Sequence, residues 1–105
     1  MKSFDIYELI EEIRPNVQMY VGDYSLIKLK SFLEGCEYMA YAFGIERSDT
    51  PSFHGLHLWV AMRFLGHESA MGFGRIILAE CSGEDKKALD MFFNLLDEYK
   101  SGVKP

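Results

Sequence analysis

The chain has 105 residues, enough for one hydrophobic core and too few for two independent domains, so an internal linker is excluded. With 49% hydrophobic, 14% aromatic and 26% charged residues it has the composition of a globule with an aromatic-rich core, not of a disordered chain. A formal charge of -5 supplies no broad basic field for nucleic acid or for an acidic membrane surface; it favours a basic partner.

Acidic residues interrupt the first stretch before an apolar segment of signal-peptide length can form, and no apolar run approaches a membrane span, so a cytoplasmic protein is expected. Ile6, Leu9, Ile10 and Ile13 recur at i, i+3, i+4 and i+7, which predicts a helix from Ser3 to Arg14 with Ser3 as N-cap and Pro15 as its stop. Glu8, Glu11 and Glu12 lie off that stripe, as does Tyr7. Asn16 to Tyr24 reads as a short extended or turning connection.

The longest periodic signal follows Ser25. Leu26, Leu29, Phe32, Leu33, Cys36, Met39, Ala40 and Phe43 form one stripe ending near Gly44, which predicts the helix at the centre of the core. Tyr38 and Tyr41 fall outside it. Arg47 to Ser52 is a polar loop in which Thr50 reads as an N-cap and Pro51 as the first residue of a third helix running to about Leu65. Apolar residues surround that helix, so burial on several sides is expected.

Residues 70–81 fit two readings. Met71, Gly74, Ile77, Leu78 and Cys81 make a helical face, while Arg75 to Ala79 also suits a short buried strand; helix is favoured because no strand partner stands out elsewhere. Ser82, with Asp85 three residues on, reads as the cap of a final helix. Ala88, Leu89, Phe92, Leu95, Leu96 and Tyr99 share its apolar face, and Lys86, Asp90, Asn94 and Asp97 the opposite one. Residues 101–105 read as a frayed tail after Gly102. The expected fold is all-α, four or five packed helices in a single small domain.

Cys36 and Cys81 are too few and too far apart for a disulfide framework and fall on apolar helical faces, so both read as reduced core thiols, not nucleophiles. His54 and His57, three residues apart, invite a metal reading, and His67-Glu68 lacks the second histidine of the zinc-protease spacing. The plainer expectation is histidines hydrogen-bonded to neighbouring carbonyls. Gly72-Phe73-Gly74-Arg75 lacks the third glycine, the lysine and the preceding strand of a phosphate loop; close helix packing explains the glycines, and a surface salt bridge suits Arg75. No catalytic residue, metal site or cofactor is therefore expected. What remains is surface chemistry: carboxylates of Glu8, Glu11, Glu12, Asp90 and Asp97, and tyrosines Tyr7, Tyr38 and Tyr41 as anchors for a partner.

Arg14-Pro15, Met19-Tyr20-Val21-Gly22, Ser25-Leu26, Leu29, Phe32-Leu33 and Gly35 resemble a group of small uncharacterised bacterial proteins with the pattern Arg-Pro-x-Met-Tyr-x-Gly-x-x-Ser-Leu-x-x-Leu-x-x-Phe-Leu-x-Gly. Trp59-Val60, Arg75 to Leu78, and the final helix from Ala88 to Tyr99 are similar as well. These proteins look like immunity proteins, small non-enzymatic chains that neutralise toxins used between competing bacteria. Asn16-Val17-Gln18 is an insertion relative to the pattern, and Cys36 stands where an aromatic is usual. The resemblance implies a protein partner such as a basic toxin domain. Two other classes compete with it: an enzyme or small-ligand binder with a pocket between helices, and a self-associating helical module; monomer and homodimer both fit the composition.

Overall fold

The computed structural model describes residues 3–105, and over them the chain is all-α apart from one isolated bridge between Phe4 and Arg47. Five helices of eight residues or more pack into a single domain: α1 (Ile6–Ile13), α3 (Leu26–Ala42), α4 (Gly55–Leu65), α5 (Phe73–Glu80) and α6 (Asp85–Lys100), with a short α2 (Val17–Val21) between the first two. No helix among the described residues is long and apolar enough to cross a membrane.

Asp5, not Ser3, caps α1: its carboxylate accepts the Tyr7 amide at 2.9 Å, while the Ser3 hydroxyl lies 3.3 Å from that of Ser48. The expected face is confirmed, with Ile6, Ile10 and Ile13 buried. α1 ends at Ile13, just before Pro15 as expected, but the expected extended connection is absent. A proline needs no amide partner in the first turn of a helix, so the backbone tightens into a 3-10 turn over Arg14–Asn16 and continues into α2. Gly22, at φ 80°, then ends α2. Helix resumes after Ser25 as expected, and Ser25 caps α3, accepting the Lys28 amide at 3.1 Å.

The third helix begins at Gly55, four residues after Pro51, correcting the expected Thr50 cap. Tertiary bonds take the intervening loop out of helical register. Asp49 accepts the Phe53 amide at 2.8 Å, Tyr7 donates to the Pro51 carbonyl, and Tyr99 donates to the Ser52 carbonyl. Burial of α4 is one-sided: Leu56, Trp59, Val60 and Ala61 are inside, whereas Leu58, Met62 and Leu65 remain exposed.

Residues 73–80 are helix, which removes the strand alternative. Gly74 lets α5 approach α3, because a Cβ there would sit 3.1 Å from the Lys30 side chain and 3.3 Å from Ile27. The cap of α6 is Glu84, not Ser82. Ser82 (φ 55°) and Gly83 (φ 79°) form a left-handed turn closing α5, so Ser82 has no extended backbone from which to cap.

The centre of the core lies where α5 and α6 meet α3 and α4, not on α3. An aromatic chain runs through it. Tyr7 meets Phe53 edge-on at 6.0 Å, Phe53 meets Phe73 likewise, Phe73 stacks on Phe92 at 5.6 Å, and Phe92 touches Phe93. Cys81 is buried, its sulfur 3.9 Å from that of Met91; Cys36, expected in the core, is only half-buried, and both thiols are free. Residues 101–105 are exposed, yet the Val103 carbonyl accepts the Trp59 indole N–H at 2.8 Å and the Pro105 carbonyl accepts Arg63 at 3.0 Å.

Candidate functional site

The 17 residues of α3 span about 25 Å and the eight of α5 about 12 Å, so α5 cannot cover the whole of α3. Gly72 and Gly74 place α5 beside Ile27 and Lys30, at the start of α3. Leu26, Leu29, Leu33 and Ala40 are buried along the inner side, and the outer C-terminal half overhangs. There Tyr38 is 67% exposed, Met39 51%, Tyr41 79% and Phe43 72%, with Ile45 partly exposed beyond the turn at Gly44. Met39 and Phe43, expected in the buried stripe, are therefore surface residues.

Tyr38 and Tyr41 edge a cleft of about 570 Å³ whose apolar wall includes Phe53 and Phe73. Its polar side is an ion-pair network. Arg47, carried on the loop that pairs with Phe4, donates to Glu37 on α3 and lies 3.3 Å from both carboxylate oxygens of Asp49. Arg47 also meets Nε2 of His54. Burial raises the Glu37 carboxyl above its ordinary value, against the opposing pull of Arg47 and then His54. Burial also acts to raise Asp49, but hydrogen bonds from the Phe53 amide, its own amide and Arg47 outweigh it and hold Asp49 below its ordinary value. Lys30 is 3.3 Å from Glu34 and lies over the Phe73 ring.

The tyrosines of the sequence-based site separate. Tyr38 and Tyr41 stand together on the cleft rim, as surface residues. Tyr7 is a core residue at 5% exposure, correcting its expected role as an anchor: one more turn of burial at α1 carries its ring against Phe53, and its hydroxyl holds the 49–54 loop. Burial, with Tyr99 and Asp49 nearby, raises the Tyr7 phenol well above its ordinary value.

None of the predicted carboxylates lines the cleft. Glu8, Glu11 and Glu12 are exposed on α1, and neither Glu8 nor Glu12 has an ion-pair partner among the described residues; Glu11 is 3.6 Å from Arg14. Asp97 makes a bidentate pair with Arg14, both bonds 2.9 Å, and is thus committed within the chain. Asp90 is exposed and unpaired among the described residues.

Comparison with protein families, with curated proteins and with solved structures finds no match to this chain.

His57 conforms to the expected carbonyl bond, its Nε2 2.9 Å from the Ser69 oxygen, and His67 Nδ1 lies 2.8 Å from the Glu68 oxygen. Among the described residues no three His, Cys, Asp or Glu side chains are placed to hold one metal ion. Arg75 is exposed and makes no ion pair among them, against the expected salt bridge. The Glu37, Arg47, Asp49 and His54 network was not legible in the sequence, since periodicity along α3 says nothing of which loop folds back upon it. Exposure of Met39 and Phe43 was not legible either, because the periodicity of α3 carries no information on how short the helix packed against it is.

Proposed function

We propose that this chain is a non-enzymatic protein-binding domain. The observation that carries the reading is the solvent-facing band Tyr38, Met39, Tyr41, Phe43 and Ile45. Aromatic residues and methionine are the types enriched at protein interfaces, and in a soluble monomer they are usually scattered instead of gathered on one helix end. The neighbouring cleft offers less to a small ligand, because Arg47, Glu37, Asp49, Lys30 and Glu34 are already engaged with one another. The two free thiols fit a reducing, cytoplasmic setting.

Within this class, the resemblance to immunity proteins supports a basic toxin domain as a partner. The exposed carboxylates of Glu8 and Glu12, unpaired among the described residues, give it a complementary surface on α1. The test is capture from the source cells with the tagged chain beside two variants, Tyr38→Ala with Tyr41→Ala, and Glu8→Lys with Glu12→Lys. A stoichiometric partner retained by the native chain and lost from either variant, at unchanged melting temperature, is the expected result. A basic nuclease or toxin domain lost with the charge reversal carries the immunity reading; equal recovery by all three chains removes both surfaces.

A further inference from the structure

We infer that residues 103–105 form a strap on α4 that closes over the indole edge of Trp59 and opens without unfolding the domain. Trp59, Arg63 and the strap stand apart from the α3 cleft, whose lining includes none of them.

The closed state is made by side chains of α4 reaching backbone carbonyls of the strap. The Trp59 Nε1–H donates to the Val103 carbonyl at 2.8 Å, Arg63 Nε donates to the Pro105 carbonyl at 3.0 Å, and a terminal nitrogen of Arg63 lies 3.4 Å from the Lys104 carbonyl. Three successive carbonyls are thus held by two residues one helical turn apart. Arg63 is aimed by two further contacts: it pairs with Glu98 on α6 at 3.1 Å and stacks over the Trp59 ring at 4.5 Å. Gly102, at φ 82°, turns the chain back so that the Val103 amide donates to the Glu98 carbonyl at 3.1 Å.

No apolar burial locks the strap. Residues 101–105 are all exposed, and the aliphatic side chain of Val103 is 44% exposed. A hydrogen bond of this kind shifts an equilibrium by roughly fivefold net, so three favour the closed strap by at most about a hundredfold. Ordering the strap's backbone takes back part of that. A whole domain is held by about 10³–10⁸. The strap therefore releases well before the core does.

With the strap closed, Trp59 is 7% exposed and its indole N–H is satisfied within the chain. Release opens that N–H edge to solvent and frees donors of Arg63. Both residues flank Leu58, Met62 and Leu65, which are exposed on α4 at i, i+4 and i+7. The strap thus sets whether α4 shows an apolar stripe alone, or that stripe with an open indole and guanidinium beside it.

Trp59 is the one tryptophan of the chain, so its indole proton gives a single resonance. The test is hydrogen–deuterium exchange of that proton by NMR in the full chain, at several urea concentrations below the unfolding transition, beside the amide of the buried Phe92. In the native chain the indole proton is expected to exchange at most about a hundredfold more slowly than free indole, with little urea dependence. The Phe92 amide is expected to be slowed by the full stability of the domain and to follow urea steeply. Gly102→Val strains the left-handed turn, while a Cβ there meets nothing within 4 Å. It is expected to speed indole exchange by roughly tenfold at unchanged melting temperature. An indole proton that shares the urea dependence of Phe92 overturns the strap as a unit that moves alone. One that is unprotected in the native chain overturns its closure, and protection unchanged in Gly102→Val overturns the strap as its source.

Discussion

At the scale of single residues, the 49–54 loop shows how tertiary bonds override local preference. Thr50-Pro51 is a favourable helix start, yet Tyr7 and Tyr99 engage the Pro51 and Ser52 carbonyls and Asp49 takes the Phe53 amide. The start of α4 is thereby displaced to Gly55, against which the Tyr99 hydroxyl is packed so closely that no Cβ fits. Gly55→Ala is normally favourable in a helix, by up to about 1 kcal/mol. Here the rigid Tyr99 ring must move off the Ser52 carbonyl, and the net effect is expected to be a loss of about 1–3 kcal/mol, read by urea unfolding. A variant as stable as the native chain would show that Tyr99 does not hold this loop.

At the scale of elements, hydrophobic periodicity located every long helix, and it failed at their ends and outer faces. Caps were misplaced at Ser3, Thr50 and Ser82 because the bonds that define the true starts come from neighbours or from a left-handed turn. The joint between α1 and α6 is one such neighbour effect: Arg14, at the turn after α1, grips Asp97 with two 2.9 Å bonds and stacks over Phe93 at 5.1 Å. Both side chains are partly solvated, so Arg14→Ala and Asp97→Ala are each expected to cost only about 0.5–1 kcal/mol. A double-mutant cycle by urea unfolding checks this, with additive costs the result that would deny the coupling. Asp97 was expected to face a partner; its carboxylate is instead used to fasten two helices.

At the scale of the whole molecule, the exposed apolar residues at the end of α3 divide between two flanks: Tyr38 and Tyr41 edge the cleft lined by Lys30, Glu34, Glu37 and Arg47, while Met39, Phe43 and Ile45 line a groove without charged residues. A chain of charge -5 that meets the proposed basic partner through Glu8 and Glu12 is steered by unscreened charge. Raising sodium chloride from about 50 mM to about 500 mM, where the Debye length falls from about 14 to about 4 Å, is expected to weaken capture of that partner. Capture unchanged by salt would point away from the α1 carboxylates and toward the apolar flank of α3.

The all-α class, the identity of the five long helices, the aromatic character of the core and the exposure of Tyr38 and Tyr41 follow from the sequence alone, because each depends on side-chain spacing within one segment. Only the tertiary structure decides that Tyr7 is inside and Phe43 outside, that Asp97 serves Arg14, and that Glu37, Arg47, Asp49 and His54 meet. Those outcomes depend on which segment lies opposite, and on a 17-residue helix meeting an eight-residue neighbour. The periodicity of one helix carries its own buried stripe, but not the length of the surface that arrives to cover it.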